Sequence, residues 1–297
     1  MFKNIIMYRI VPGWSSTAEE VETRLHDHPF VACGASQEKS VGWIEPRGVD
    51  HGPLLEVVAG QWVLKLMTET RALPASVVNR KAQERAAQIE ATTGRKPGKK
   101  ETRDLKDDIR LELLPMAFTK LSSTWVWIDR AANLLVMDAS SQARADELVT
   151  LLVQCLPGLA LALVNTQTSP SAAMAEWLVS MEAPQGFSVD RECELKAADE
   201  SKAVVRYARH RLDTDEVKQH IEGGKMPTRL ALTWNDRVSF VLTEGLQLKK
   251  VAFLDVVFEG ASASKDDGFD ADVTIATGEL QQALPVLLEA LGGEMQA

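Results

Sequence analysis

Residues 75–114 constrain the fold most, because they place two helix-patterned segments inside a chain that is otherwise rich in strand patterns. The first segment, SVVNRKAQERAAQIEATTG, has a helical period, and the second, KKETRDLKDDIRLELL, resumes it. Between them the stretch GRKPG supplies Gly94, Pro97 and Gly98, which break helices. The pattern predicts an inserted helical hairpin, and its shortage of large apolar residues predicts that much of its surface is solvated.

The segments on either side of the hairpin predict an α+β fold with mixed or antiparallel sheets. Strand patterns before residue 140 occur in FKNIIMYRIV, VGWIEP, QWVLKLMTETR, SSTWVWIDR and AANLLVMDA. Later strand patterns occur in KAVVRYARHRL, MPTRLALTWND, RVSFVLTE and LKKVAFLDVV, and GELQQALPVLLEALGG predicts a closing amphipathic helix. We therefore expect an N-terminal unit of residues 1–74 and 119–165, the hairpin of residues 75–118, and a C-terminal unit of residues 166–297.

The composition is that of a globular protein rather than a membrane or disulfide-rich one. The chain has 297 residues, of which 45% are hydrophobic, so it is long enough for roughly two domains. No run of about 18 apolar residues occurs, and the N-terminus lacks the layout of a signal peptide. Its three cysteines are far apart and odd in number, which favours a reducing compartment. We expect a cytoplasmic protein that does not contact membranes.

Catalytic motifs are weak in this sequence. GRKPGKK lacks the glycine spacing of a phosphate-binding loop, and the motifs GxSxG, HExxH and CxxC do not occur. His26 and His28 flank an aspartate, but Pro29 ends the helix there, so a polar helix terminus is a better interpretation than a metal site. We expect no catalytic residue, no metal and no cofactor.

Carboxylate clusters keep a metal-dependent nuclease open as the weaker alternative. Asp107, Asp108 and Glu112 are interspersed with lysines on a predicted helix, which is typical of a solvated face. Three acids at a predicted helix N-terminus suit the helix dipole; they are Asp213, Asp215 and Glu216. Four more are predicted to lie in a loop, namely Asp266, Asp267, Asp270 and Asp272.

The distribution of charge is more informative than its sum. The chain has a formal net charge of -9, yet residues 80–110 contain ten basic and six acidic residues. That window is therefore +4, which leaves -13 for the rest of the chain. Basic side chains that neutralise phosphates give salt-sensitive nucleic-acid binding without a base-reading motif. The alternative, that these charges only keep an exposed helix in solution, stays open.

A second basic concentration lies in KAVVRYARHR, where no acidic residue occurs from Ser201 to Leu212. If this segment is a strand, Arg206 and His210 face one side of the sheet. Arg209 and Arg211 then face the other side. The sequence thus offers two basic segments on one acidic chain.

Several stretches together resemble the recombination-associated RdgC family of proteobacteria, and the resemblance runs from end to end. They include FKNIIMYR, VGWIEPRG, GRKPGKKE, LLPMAFTKLS, WVWID, APQGF, LDTDEVKQHIEGGK, LALTWNDRVSFVL, FDADVTIATGEL and LLEALGGE. The resemblance implies a ring-shaped homodimer with a positively lined hole that encircles double-stranded DNA without sequence preference. Single-stranded DNA is implied to bind more weakly. The implied role is to restrain the RecA recombinase in the nucleoid, without enzymatic activity.

The resemblance also implies roles for individual residues. Phe118 matches the family's gate phenylalanine, with Lys120 beside it, although ordinary core packing would use the same residue type. Arg209 and His210 match positions implied to face DNA. The full set of expected DNA contacts is Lys96, Lys99, Lys100, Lys120, Lys202, Arg206, Arg209, His210 and Arg211. A protein-interaction factor that antagonises a recombinase directly remains the main alternative.

Overall fold

The computed structural model describes residues 1–259 and 268–295, and in them it contains twelve β-strands and seven α-helices. The strands are β1 Ile5–Ile10, β2 Lys39–Ile44, β3 Leu55–Val58, β4 Gln61–Ala72, β5 Phe118–Asp129, β6 Leu134–Asp138, β7 Leu161–Leu163, β8 Phe187–Ala197, β9 Val204–Ala208, β10 Lys225–Trp234, β11 Val238–Thr243 and β12 Leu248–Phe253. The helices are α1 Ala18–Leu25, α2 Ala75–Thr93, α3 Lys99–Leu113, α4 Gln142–Cys155, α5 Pro170–Ser180, α6 Asp215–Glu222 and α7 Gly268–Ala290. The strand pairs are antiparallel, so the predicted α+β class with antiparallel sheets is confirmed.

Contacts along the chain separate two compact units, which are described one at a time. The larger unit contains residues 1–24, 45–64 and 125–297, and the smaller contains residues 25–44 and 65–124. Strands β4 and β5 each begin in one unit and end in the other. The domain boundaries expected from the sequence remain a prediction.

One hydrophobic cluster of the larger unit forms on one face of its sheet. The strand order there is β5-β6-β1-β12-β11-β10-β8-β9, with β7 beside β1. Alternate residues of β10, such as Leu230 and Leu232, are buried in one cluster with Leu280 and Leu284 of α7 and with Trp177 of α5. Because successive strand residues point to opposite faces, Arg229 lies on the face away from this cluster. That second face carries the charged residues considered below.

The smaller unit contains the helical hairpin, which confirms the hairpin predicted from the sequence. Helices α2 and α3 pack through Val78 and Ala82 of α2 and through Ile109 and Leu113 of α3, all of them buried. Gly94 caps the C-terminus of α2, and its φ of 72° is the left-handed conformation that glycine adopts without strain. The rest of both helices is largely exposed, as the scarcity of large apolar residues predicts.

Two element predictions need correction. The strand expected through residues 202–212 is shorter, because β9 ends at Ala208 and Arg209 has a φ of 55°, outside the extended region. The expected alternation of faces therefore fails for Arg209, His210 and Arg211. The final helix begins at Gly268, not at residue 278.

That earlier helix start also changes one carboxylate cluster. Asp270 and Asp272 lie in α7 instead of a loop. Asp266 and Asp267 lie outside the described residues.

Candidate nucleic-acid interface

Arg206 lies on β9, but its charge is already matched by a carboxylate. Its Nε atom donates a hydrogen bond of 2.6 Å to Glu194 Oε2 on the neighbouring strand β8, where the two residues are in register. Thr228 on β10 donates a second hydrogen bond, of 2.8 Å, to Glu194. The Arg206 hydrogen bond is the main cause of the lowered pKa of Glu194. Arg206 therefore adds less positive potential to this surface than its sequence position suggests.

Arg209 directly follows β9 and is exposed. Within the residues that the structure describes, it forms no ion pair, and it lines a cavity of about 280 Å³ with Arg191 and Lys250. Lys250 donates hydrogen bonds of 2.6 and 2.9 Å to the two carboxylate oxygens of Glu192. The cavity therefore has both signs of charge, and Arg191 and Arg209 are its cations without an ion pair in the described part of the chain.

The two residues after Arg209 are engaged with nearby groups. His210 Nδ1 lies 2.6 Å from the carbonyl oxygen of Arg211, and its ring lies 5.5 Å from that of Tyr207. Arg211 donates hydrogen bonds of 2.6 and 3.0 Å to Asp213, which lower the pKa of that carboxyl group. The sequence window from 201 to 212 contains no acid, but the fold places Glu194 and Asp213 against its arginines.

Lys202 lies in the turn that joins β8 to β9. It is exposed, has a φ of 47°, and is described without an ion-pair partner. In the same turn, the amide and the hydroxyl group of Ser201 both donate hydrogen bonds to the carboxylate of Asp199. The five expected residues from 202 to 211 thus lie on one short strand and its two flanking loops.

The hairpin tip in the smaller unit contains basic side chains both with and without a carboxylate nearby. Lys96 Nζ lies 3.9 Å from Glu90 Oε1, which is a loose contact between exposed groups. Lys99 and Lys100 occupy the first turn of α3, are exposed, and have no partner among residues 1–259 and 268–295. Two positive charges at the positive end of a helix dipole are unfavourable for that helix, so their placement is better suited to an anionic partner.

Phe118 begins β5, and its side chain is 87% exposed. Met116 and Leu121 are 70% and 57% exposed. The core-packing interpretation of Phe118, which the sequence left open, is therefore wrong for this chain. Lys120 is exposed on the same strand, so the first residues of β5 combine an apolar ring with a cation.

Sequence reasoning missed a third basic cluster in the larger unit. Lys196, Arg229 and Lys249 come from three different strands and line one cavity of about 430 Å³. Lys196 and Lys249 are 53 residues apart in the sequence, so no short sequence window contains all three residues. Strand alternation could have placed each on the exposed face, but only the pairing of the strands brings them to one point.

The described part of the chain contains neither a candidate metal site nor a candidate membrane span. No three residues among the described histidines, cysteines, aspartates and glutamates lie close enough to hold a metal ion. Over the same residues, no helix is both long enough and apolar enough to cross a membrane.

Comparison with known proteins gives matches over nearly the full length. A family model described as "Putative exonuclease, RdgC" matches residues 1–294. The recombination-associated protein RdgC of Cupriavidus pinatubonensis is 48% identical over 299 residues, covering 100% of this chain and 99% of that protein. The proteins of the same name from Dechloromonas aromatica and Bordetella pertussis are 46% and 43% identical, covering 99% of this chain and 98% of each relative.

Proposed function

The chain belongs to the RdgC family of recombination-associated proteins, and from this we propose that it binds double-stranded DNA without sequence preference. In the proposal the protein closes around the duplex as a homodimer. Occupying the duplex in this way restrains RecA-dependent recombination in the nucleoid. Single-stranded DNA, which offers fewer phosphates to the same surface, binds more weakly.

The observation that carries the proposal is a set of exposed cations that have no carboxylate partner on a chain of net charge -9. Within the described residues they include Lys99, Lys100, Lys120, Lys202 and Arg209. A basic side chain that is not already paired can neutralise a DNA phosphate and release the cation condensed there, and this release provides binding free energy. The acidic remainder of the chain repels DNA, which confines the contact to these surfaces.

The homodimer is supported by the exposed ring of Phe118. A side chain of this size that is 87% exposed loses unfavourable contact with water when a second molecule covers it. In a dimer with twofold symmetry the same patch meets itself, so one phenylalanine per chain supplies both sides of the contact.

The experiment is a titration of the full chain with duplexes of two unrelated sequences, without a recombinase, at several salt concentrations. We expect equal affinity for both sequences. The logarithm of the binding constant should fall linearly with the logarithm of salt, with a slope of about -0.9 per neutralised phosphate. Affinity that does not change with salt would contradict the phosphate-based mechanism. If DNA does not bind at all, the direct antagonist of a recombinase becomes the better explanation.

The description of the family model favours a second candidate function, a metal-dependent exonuclease. The test is to incubate end-labelled duplex with the protein and Mg²⁺. Shortening of the labelled strand would establish the nuclease, whereas intact DNA under conditions of saturating binding would support the binding function alone.

A further inference from the structure

The pocket that contains Lys196, Arg229 and Lys249, here called the strand pocket, is built by the register of four neighbouring strands. Arg229 on β10 lies opposite Thr243 on β11, and Met226, three residues before Arg229, lies opposite Lys196 on β8. Lys249 on β12 lies opposite Val241, two residues from Thr243. Neighbouring strands are about 4.8 Å apart, so the three cations form a diagonal row across roughly 14 Å of sheet.

The charges that line the strand pocket favour an anion. In the part of the chain that the structure describes, Lys196 and Arg229 form no ion pair. Glu194 also lines the pocket and lies directly opposite Arg229, which attracts it, but Arg206 and Thr228 already donate hydrogen bonds to this carboxylate. Glu244, the other carboxylate of the pocket, is exposed. The walls therefore have three cations and one carboxylate that is not bonded to a base.

One wall of the strand pocket is the beginning of α4. Lys249 donates a hydrogen bond of 2.8 Å from Nζ to the carbonyl oxygen of Ser140, which fixes the lysine beside the helix start. The amide of Arg144 is capped by Ser141, so the amides of Gln142 and Ala143 remain as donors at the positive end of the helix. A helix start alone does not define a site, but here it faces the row of cations.

We propose that the strand pocket binds a phosphate group of the nucleic-acid backbone, held by Arg229, Lys249 and Lys196 against the first amides of α4. The inference rests on the proposed DNA binding and adds a contact that the basic segments of the sequence do not contain. Arg229 supplies the planar donors that match a phosphodiester. Lys196 and Lys249 supply point charges on either side of it.

The charges around Lys249 are consistent with an anion bound at this position. Burial and then repulsion from Arg229 lower its pKa, and Asp138 only partly opposes them. An anion placed between Arg229 and Lys249 removes that repulsion. The pocket thus contains a cation pair that a bound phosphate would stabilise.

The test uses three variants of the full chain: Arg229→Gln, the double variant Arg229→Gln with Lys249→Gln, and Lys218→Gln as control. Lys218 lies on α6 outside the pocket and has no ion-pair partner in the described ranges, so the control removes the same unit of charge elsewhere. Arg229 is exposed, so its single substitution also guards against a folding effect at the anchored Lys249. The probes are a DNA duplex and, separately, inorganic phosphate.

We expect Arg229→Gln to weaken duplex binding about fivefold and to make the salt slope less negative by about 0.9. The double variant should weaken duplex binding further, but its slope should differ from that of the parent by no more than about 0.9, because the strand pocket holds one phosphate. Lys218→Gln should leave the slope unchanged. Inorganic phosphate should shift the amide resonances of Gln142 and Ala143 in the parent protein and not in the double variant.

The outcomes separate this inference from the proposed function. If the parent binds duplex with a steep salt slope but Arg229→Gln equals the control, the strand pocket is wrong and the function stands. If phosphate shifts the two amides but duplex does not bind, the pocket serves a free phosphate compound and the DNA function is overturned. If neither probe binds, both proposals fail.

Discussion

At the scale of single residues, Arg206 and Arg209 lie three positions apart and have different surroundings. Arg206 already donates to Glu194, whereas Arg209 has no carboxylate partner among the described residues. A paired arginine must give up that partner before it contacts a phosphate, so its net contribution is smaller.

We therefore predict that Arg209→Gln weakens duplex binding about fivefold or more, while Arg206→Gln weakens it less than half as much. The measurement is an equilibrium titration by fluorescence anisotropy at about 0.1 M salt, where exposed charges still interact over a Debye length of about 10 Å. The two variants have the same loss of charge, so each is the other's control. Equal losses would show that the Glu194 pairing does not limit Arg206.

The sequence predicted residue types well and residue environments poorly. The concentration of bases from 202 to 211 is real, yet Glu194 and Asp213, which neutralise part of it, come from β8 and from the loop before α6. Such pairings depend on strand register, which the local pattern does not contain. The same reason explains why the strand pocket was missed and why the exposure of Phe118 could not be decided from its apolar neighbours.

At the scale of elements, the hairpin shows how local chemistry can fix a turn that has few tertiary contacts. The carboxylate of Glu101 accepts hydrogen bonds from Arg95 at 2.7 and 2.8 Å and from the Gly98 amide at 2.9 Å. These bonds, the Arg95 bond first, lower the pKa of Glu101 from its ordinary value of 4.5 to about 2. The sequence predicted the helices and the break between them, because period and helix breakers are local signals. The sequence did not predict the hydrogen bonds that Glu101 accepts from Arg95 and Gly98, here called the Glu101 lock.

The lock predicts a pH dependence of the hairpin. A carboxyl group whose pKa is lower in the folded state stabilises that state fully above about pH 4.5 and loses the contribution as pH falls towards 2. We expect the amide resonances of Gly98 and Glu101 to shift with a midpoint near pH 2. Substitution Glu101→Gln should abolish this transition, and Glu84→Gln, an exposed glutamate in α2, should not. A midpoint near 4.5 in the parent would contradict the lock.

At the scale of the whole molecule, the expected assembly depends on Phe118. Covering a phenylalanine side chain contributes about 1.5–3 kcal/mol, and a symmetrical contact uses the residue twice. We predict that Phe118→Ala raises the dissociation constant of the dimer by about tenfold or more without changing the fold. Sedimentation velocity over a range of concentrations measures this constant, and circular dichroism checks the fold.

Leu111→Ala provides the matched control for that experiment, because Leu111 is also apolar and is 59% exposed in the same unit. Identical dissociation constants for the two variants would place the contact elsewhere. The residues of the sequence predicted the assembly less well than the fold, because a phenylalanine can belong either to a core or to an interface. Only the exposed fraction of the ring separates these cases.

If the proposed surface binds DNA, the pairing of Arg206 with Glu194 affects the rate at which contacts are exchanged along the duplex. In the structure, Arg206 Nε donates a hydrogen bond of 2.6 Å to Glu194. When Arg206 leaves a phosphate it can form this hydrogen bond again, so its guanidinium group is paired with an anion both before and after the exchange. Because each step replaces one anionic partner of Arg206 with another, we expect a contact made this way to be short-lived. On the proposed surface, such contacts would let a closed protein travel along a duplex while remaining on it.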